Sequence, residues 1–231
     1  MTLGVLGGVG PAATVNFLEM LIATTPARKD QDHIETIVYN DPTVPDRTDA
    51  IRGEDDVCEH LVANAKALDR MEVEYVVIAS NLTHYWFDDV ADAVDAEMIH
   101  MIESVCDEIS EQGHEHVGLL TTTTAREIGL YERFLDDVEP VYPEAMDAVM
   151  ESIYRYKAGH EADARRQIDD VARELSAEVD ALVLGCTEFS AMGWTDLGPT
   201  IDPVEVLAGE CVDTLYSDEH ARRRRSSMER S

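Results

Sequence analysis

Short runs of apolar and β-branched residues alternate along this chain with longer segments whose apolar positions recur every three to four residues. Residues 3–6, 34–39, 75–78, 117–120 and 181–184 have the length and composition of buried strands. Residues 13–24, 57–71, 104–112, 144–157 and 161–175 carry apolar side chains at helical spacing. The alternation predicts an α/β fold with mainly parallel sheets. Strands apolar on both faces predict sheets flanked by helices on both sides.

Polar or glycine-rich residues follow several strands directly: GGVGP at 7–11, NDPTVPDRT at 40–48, SNLTH at 80–84, TTTT at 121–124 and CTE at 186–188. Open α/β sheets bind ligands beside the C-terminal ends of their strands, so these five segments are expected to converge on one site. Two stretches repeat one grammar. VVIASNLTHY at 76–85 and ALVLGCTE at 181–188 are each an apolar strand ending in a small residue and then a reactive group, Ser80 in one and Cys186 in the other. Their separation of 106 positions suggests two α/β halves meeting across a cleft. The expected division is 1–98 plus 208–221 for the first domain and 99–207 for the second. Residues 222–231, with RRRR at 222–225, are expected to be a disordered basic tail.

Charge narrows the partners. The 231 residues include 48 acidic against 18 basic side chains, a net charge of −30, which excludes the basic face that nucleic acid requires. Lys29, Lys66 and Lys157 are the only lysines, and acidic residues are spread along the whole chain, a pattern expected of a halophilic protein in a salty cytoplasm. No apolar run approaches the roughly 20 residues of a membrane span, so no membrane partner is expected. The opening MTLGVLGGVGP has no charged leader region and reads as a first strand. Cys58, Cys106, Cys186 and Cys211 form no CxxC pair and no metal-ligand spacing, so reduced thiols and no metal are expected.

Chemistry enters at a few positions. GGVGP lacks the third glycine of a dinucleotide fingerprint, and Pro11 takes the first helical position instead, yet a glycine turn at a helix start can receive a carboxylate. Arg47 follows Pro42 and Pro45, which stiffen its loop, and a guanidinium can grip a carboxylate through two parallel hydrogen bonds. A thiolate at Cys186 could act as base or nucleophile. Ser80 lacks a GxSxG elbow, and no acidic residue is placed to orient His84 as a triad member. Taken singly, each also fits a plain structural role: Cys186 as a packed thiol, Arg47 and Lys157 as surface ion pairs, GGVGP as an ordinary turn.

Taken together, GVLGGVGPAAT at 4–14, DQDH at 30–33, YNDPTVPDRT at 39–48, SNLTH, GLLTTTTAREIGLYERFL at 118–135, YRYKAG at 154–159, LVLGCTE and IDPVEVLA at 201–208 resemble the aspartate/glutamate racemase superfamily, most closely its aspartate racemase branch. The resemblance implies two similar α/β domains around the active site, a homodimer, and catalysis without pyridoxal phosphate or metal. It implies two opposed acid–base groups, normally two cysteines, acting on the α-proton of an amino acid. Carried over by resemblance, Cys186 and Ser80 are the catalytic positions. Asn81, Leu82, Thr123 and Thr187 surround the α-carboxylate and amino group, Arg47 and Lys157 hold carboxylates of a dicarboxylic amino acid, and Gly8 and Val9 approach it. The chain departs from the pattern at Ser80, where a cysteine is usual, and at Thr124 and Ala125 in the threonine-rich loop. A thiol ionises near ~8.5 and an alcohol far higher, so racemisation with unequal rates from the two enantiomers is expected. A single-cysteine decarboxylase or isomerase of the same superfamily, or a non-catalytic binder of acidic amino acids, are the alternatives. From charge alone, the thermal unfolding midpoint should climb as KCl is raised from ~0.1 M to molar concentrations, as screening removes self-repulsion; calorimetry across a salt series measures it.

Overall fold

A computed structural model of the chain describes residues 1–53, 56–194 and 197–228, with side chains as far as Ser217. Among the described residues, eight strands form two parallel sheets. The first holds β1 (Thr2–Gly7), β2 (Glu35–Asn40), β3 (Tyr75–Ile78) and β4 (Glu97–Ile99), in the order β2-β1-β3-β4. The second holds β5 (His116–Leu119), β6 (Glu139–Val141), β7 (Ala181–Val183) and β8 (Thr200–Ile201), in the order β6-β5-β7-β8. The two orders are the same once the second set is renumbered from one. Position for position, β7 is therefore the counterpart of β3, and the residues that leave their C-terminal ends, Ser80 and Cys186, occupy equivalent places in the two halves.

The helices are α1 (Pro11–Thr24), α2 (Arg47–Ile51), α3 (Val57–Asp69), α4 (Phe87–Ala91), α5 (Met101–Gln112), α6 (Thr123–Glu127), α7 (Met146–Lys157), α8 (Glu161–Ser176), α9 (Thr187–Met192) and α10 (Pro203–Met228). They cover both faces of each sheet, as strands apolar on both sides require. On one face of the first sheet, Leu3, Val5, Tyr75 and Val77 pack with Phe17 and Leu21 of α1 and with Val204, Leu207, Cys211 and Leu215 of α10. On the other face, Leu6, Val76 and Ile78 meet Leu61 and Leu68 of α3. The second sheet repeats the plan. Val117, Leu119 and Val183 pack on Ile102, Val105 and Ile109 of α5, and Leu182 and Leu184 pack on Val149 of α7 and Ile168 and Leu175 of α8.

The five expected strands are all present. The sequence pattern misses β4, β6 and β8, each of two or three residues at a sheet edge. They lack the continuous apolar run that marks the equally short but central β7, and Pro140 in β6 is tolerated because an edge strand can forgo a ladder donor. The basic tail expected at 222–231 falls outside the described side chains: the backbone of α10 is helical to Met228, and residues 229–231 lie outside the described residues altogether.

The exit from β3 is fixed by bonds to one carbonyl. Thr83 Oγ1 donates to the Ser80 oxygen at 2.7 Å, and His84 Nδ1 reaches the same oxygen at 2.8 Å. His84 Nε2 accepts the Met101 N–H at 3.1 Å, which places the ring proton on Nδ1. Burial first, and then neighbouring His100, lower the His84 pKa to about 3, so the ring stays neutral across the working range. In the unfolded chain an imidazole ionises near ~6.5. The unfolded state therefore binds the extra proton between that value and about 3, and stability falls as pH falls through this window. His100, lowered to about 4 by burial, acts in the same direction. His84→Gln should flatten the stability-against-pH slope between pH 6.5 and 4.5 by up to about 1.4 kcal/mol per pH unit; urea unfolding at a series of pH values measures this.

Candidate active site

All five polar strand-end segments reach one cavity of about 50 Å³ between the halves. The first half contributes Val9, Asp46, Arg47, Thr48, Ser80, Asn81 and Leu82. The second contributes Thr121, Thr122, Gly185, Cys186, Thr187 and Glu188, with Met150, Ile153, Tyr154 and Lys157 from α7. A wider recess of about 400 Å³ adjoins it, lined by Gly8, Gly10 and the start of α1, and shares Asp46, Arg47, Lys157, Thr187 and Glu188 with the inner cavity. The shared residues form the neck between the two spaces.

Backbone close approaches set the walls. Gly8 sits at φ +91°, and a Cβ there would lie 2.3–2.5 Å from the Asp41 backbone, so the first loop can pass the end of β2 only as glycine. A Cβ on Gly185 would lie 2.9 Å from Thr121 Cβ, while Thr121 Oγ1 donates to the Gly185 carbonyl at 2.9 Å. This interlock between the ends of β5 and β7 fixes where the chain turns to deliver Cys186.

Cys186 is buried and its Sγ donates to Glu188 Oε2 at 2.8 Å. The other oxygen, Oε1, lies 3.3 Å from Lys157 Nζ. Burial first, and then the Glu188 charge, hold the Cys186 pKa well above its ordinary value, with Lys157 and the Glu188 backbone N–H acting in the opposite direction. The resting group is thus a neutral thiol hydrogen-bonded to a carboxylate that an ammonium holds in place. Sequence reading passed over Glu188 as a site residue, although its place two positions after the thiol was a usable signal.

Ser80 is buried in the equivalent position, and among the described residues no hydrogen bond is made by its hydroxyl. His84 bonds the Ser80 carbonyl and not its Oγ, so the imidazole gives the hydroxyl no base. Asn81 Nδ2 is a buried donor without a partner. Arg47 opens α2, whose N-terminus is capped by Asp46 accepting from Thr48 N–H at 2.8 Å. Its guanidinium donates to the Pro45 carbonyl at 3.3 Å, and among the described residues no carboxylate lies within ion-pair distance of it. A half-buried cation with spare donors at the neck is suited to an incoming carboxylate.

Cys186, Ser80, Val9, Arg47, Asn81, Leu82, Lys157 and Thr187 therefore meet at the inner cavity, and Gly8 lines the outer recess. Thr123 lines neither. Its N–H points to Met150 Sδ at 3.4 Å in the first turn of α6, and Thr121 and Thr122 take the place expected of it. The threonine run leaves β5 in extended form and turns into α6 at Thr122, so its earlier members face the cleft.

Two α/β halves of one strand order thus present a strand-end thiol and a strand-end hydroxyl to a shared cavity with a cation at its neck. The chain matches the Asp/Glu/Hydantoin racemase family over residues 6–211 and belongs to that family. It is similar to the aspartate racemase of Picrophilus torridus, with 32% identity and a TM-score of 0.86 over 92% of this chain and 93% of that one. It also resembles the broad specificity amino-acid racemase RacX of Bacillus subtilis (strain 168), at 24% identity over 225 residues, covering 93% of this chain and 98% of that protein. An aspartate racemase homologue from Pyrococcus horikoshii OT3 shares the fold, with a TM-score of 0.74 at 22% identity over 92% of this chain and 98% of that one. Family and relatives together support amino-acid racemase activity for this chain.

The Glu188 carboxylate raises the Cys186 pKa, so removing its charge should ease ionisation of the thiol in the empty site. Glu188→Gln is expected to speed iodoacetamide alkylation of Cys186 at pH 8 by about tenfold, one pKa unit, while slowing any proton-transfer activity by about a hundredfold. Peptide mass spectrometry reads the first effect. Slower alkylation would mean that Glu188 draws the proton off the resting thiol instead of holding it on.

Proposed function

We propose that this chain is an amino-acid racemase for aspartate, with glutamate as the alternative substrate, working without pyridoxal phosphate by α-proton abstraction and reprotonation. The observation that carries the reading is that Cys186 and Ser80, from equivalent strand ends of the two halves, open into one cavity whose neck holds Arg47 and Lys157. The α-hydrogen of an amino acid is weakly acidic, and the developing charge needs donors aimed at the carboxylate. The Asn81 amide and the Arg47 guanidinium supply them. Glu188 accepts the Cys186 proton, the thiolate takes the α-proton from one face, and the Ser80 hydroxyl gives its proton to the other. Glu188 then releases its proton to water as Ser80 takes one back, so the site returns to its starting protonation with no net gain or loss. From the opposite enantiomer the first step falls to Ser80, which has no base beside it. The shorter substrate is favoured by the small inner cavity and by the aspartate racemase named among the relatives. On the same reading the enzyme is a homodimer of a high-salt cytoplasm, which rests on the family resemblance and the −30 charge.

A decarboxylase needs a single proton donor, and the unassisted Ser80 is compatible with that. The pair of cations at the neck ranks an amino dicarboxylate ahead of it.

The test is exchange of the α-proton with deuterium, measured by NMR in molar KCl, for each enantiomer of aspartate separately. One enantiomer should exchange at least about a hundredfold faster than the other. Cys186→Ala should abolish exchange from the faster enantiomer, and Ser80→Cys should bring the two rates together. Equal wild-type rates, or exchange of the faster enantiomer that survives Cys186→Ala, would sink the assignment.

A further inference from the structure

Asn81 is 5% exposed and lines the inner cavity, yet only its oxygen is engaged: Tyr131 Oη donates to Oδ1 at 2.6 Å. The amide nitrogen Nδ2 is buried and has no partner. Tyr131 belongs to the other half. It lies beyond α6, fully buried against Val105, Ile109 and Leu119 of the second core, with no freedom to swing away. Burial keeps its phenol protonated, so at this contact it donates. If the amide were turned over, Nδ2 would have to donate to the phenol oxygen. The phenol proton would then be left without an acceptor among the described residues, and Oδ1 would face the cavity. The present arrangement gathers the unmade N–H donors on a cavity-lining residue, whereas the turned amide would strand the phenol proton in the core of the second half.

We propose that Tyr131 is a positioning residue that fixes, across the cleft, which end of the Asn81 amide faces the cavity, holding Nδ2 as a donor toward a substrate carboxylate. The inference rests on the racemase reading for the identity of that carboxylate, and on geometry alone for the orientation. It makes the anion site a joint product of the two halves: Asn81 leaves β3, and the group that orients it is anchored in the core of the second sheet. Sequence alone gave no sign of this, because 50 positions separate the partners and Tyr131 reads as an ordinary core aromatic.

The experiment uses succinate, which presents two carboxylates and cannot be racemised, in calorimetric titrations of the full chain in molar KCl. Tyr131→Phe keeps the ring and removes the hydroxyl. It should weaken succinate binding by about tenfold and raise the KM for aspartate by a similar factor, with kcat changed far less. In an Asn81→Ala background, Tyr131→Phe should change neither quantity, because there is no amide left to orient. Unaltered binding in Tyr131→Phe, or the same tenfold loss repeated in the Asn81→Ala background, overturns the proposal. Should Tyr131→Phe fail to fold, the wild type still decides. With ¹⁵N-asparagine labelling, succinate should shift the Asn81 side-chain NH₂ signals, identified by their absence in Asn81→Ala. Unmoved signals overturn the proposal. A wild type that exchanges no α-proton but shows this coupled succinate binding retains the orienting role and removes the racemase reading.

Discussion

A thiol buried beside a carboxylate is the constraint around which this site is built. Neither group is stable there alone: desolvation disfavours the thiolate, and a buried carboxylate needs a donor or a countercharge. The chain Cys186–Glu188–Lys157 meets both needs at once, since the thiol donates to Oε2 and the ammonium sits against Oε1. Glu188 is two residues beyond Cys186 in the first turn of α9, and Lys157 is the last residue of α7. The placement of both helices relative to β7 therefore decides whether the reactive sulfur can be accommodated. That placement comes from Phe189 of α9 and Val149 and Ile153 of α7, which share one core with Leu182 and Leu184.

The two halves agree in strand order and differ in chemistry. Each sends an equivalent strand toward the cleft, but the thiol has an acceptor at hand while the hydroxyl of Ser80 has none among the described residues. The carbonyl of Ser80 is heavily engaged, by Thr83 and His84, so the turn is rigid even though its reactive atom is unassisted. Geometry is thus preserved on the weaker side. A thiol or a hydroxyl at position 80 would be delivered to the same point.

Much of this was legible in the sequence, for physical reasons. Short apolar and β-branched runs marked β1, β2, β3, β5 and β7, and the strand-end rule gathered residues 7–11, 40–48, 80–84, 121–124 and 186–188 to one place. The echo between Ser80 and Cys186 corresponds to a true equivalence of β3 and β7. What escaped depends on distance through space. The edge strands β4, β6 and β8 exist because a neighbour pairs with them and not because of their own pattern. Thr123 could not be told from Thr121 and Thr122 without knowing where the run turns into α6. The bond between Tyr131 and Asn81 leaves no local trace at all.

The raised pKa of Cys186 has a consequence for the enzyme at rest. An un-ionised thiol is a poor target for peroxides and alkylating agents, so the empty site keeps its most reactive atom dormant. On the proposed reading, a substrate carboxylate arriving at Lys157 competes with Glu188 for the same ammonium. Lys157 is also one of the groups that ease ionisation of the thiol, so its position bears on the sulfur as well as on the carboxylate. On that reading, a single lysine ties the arrival of cargo to the surroundings of the sulfur.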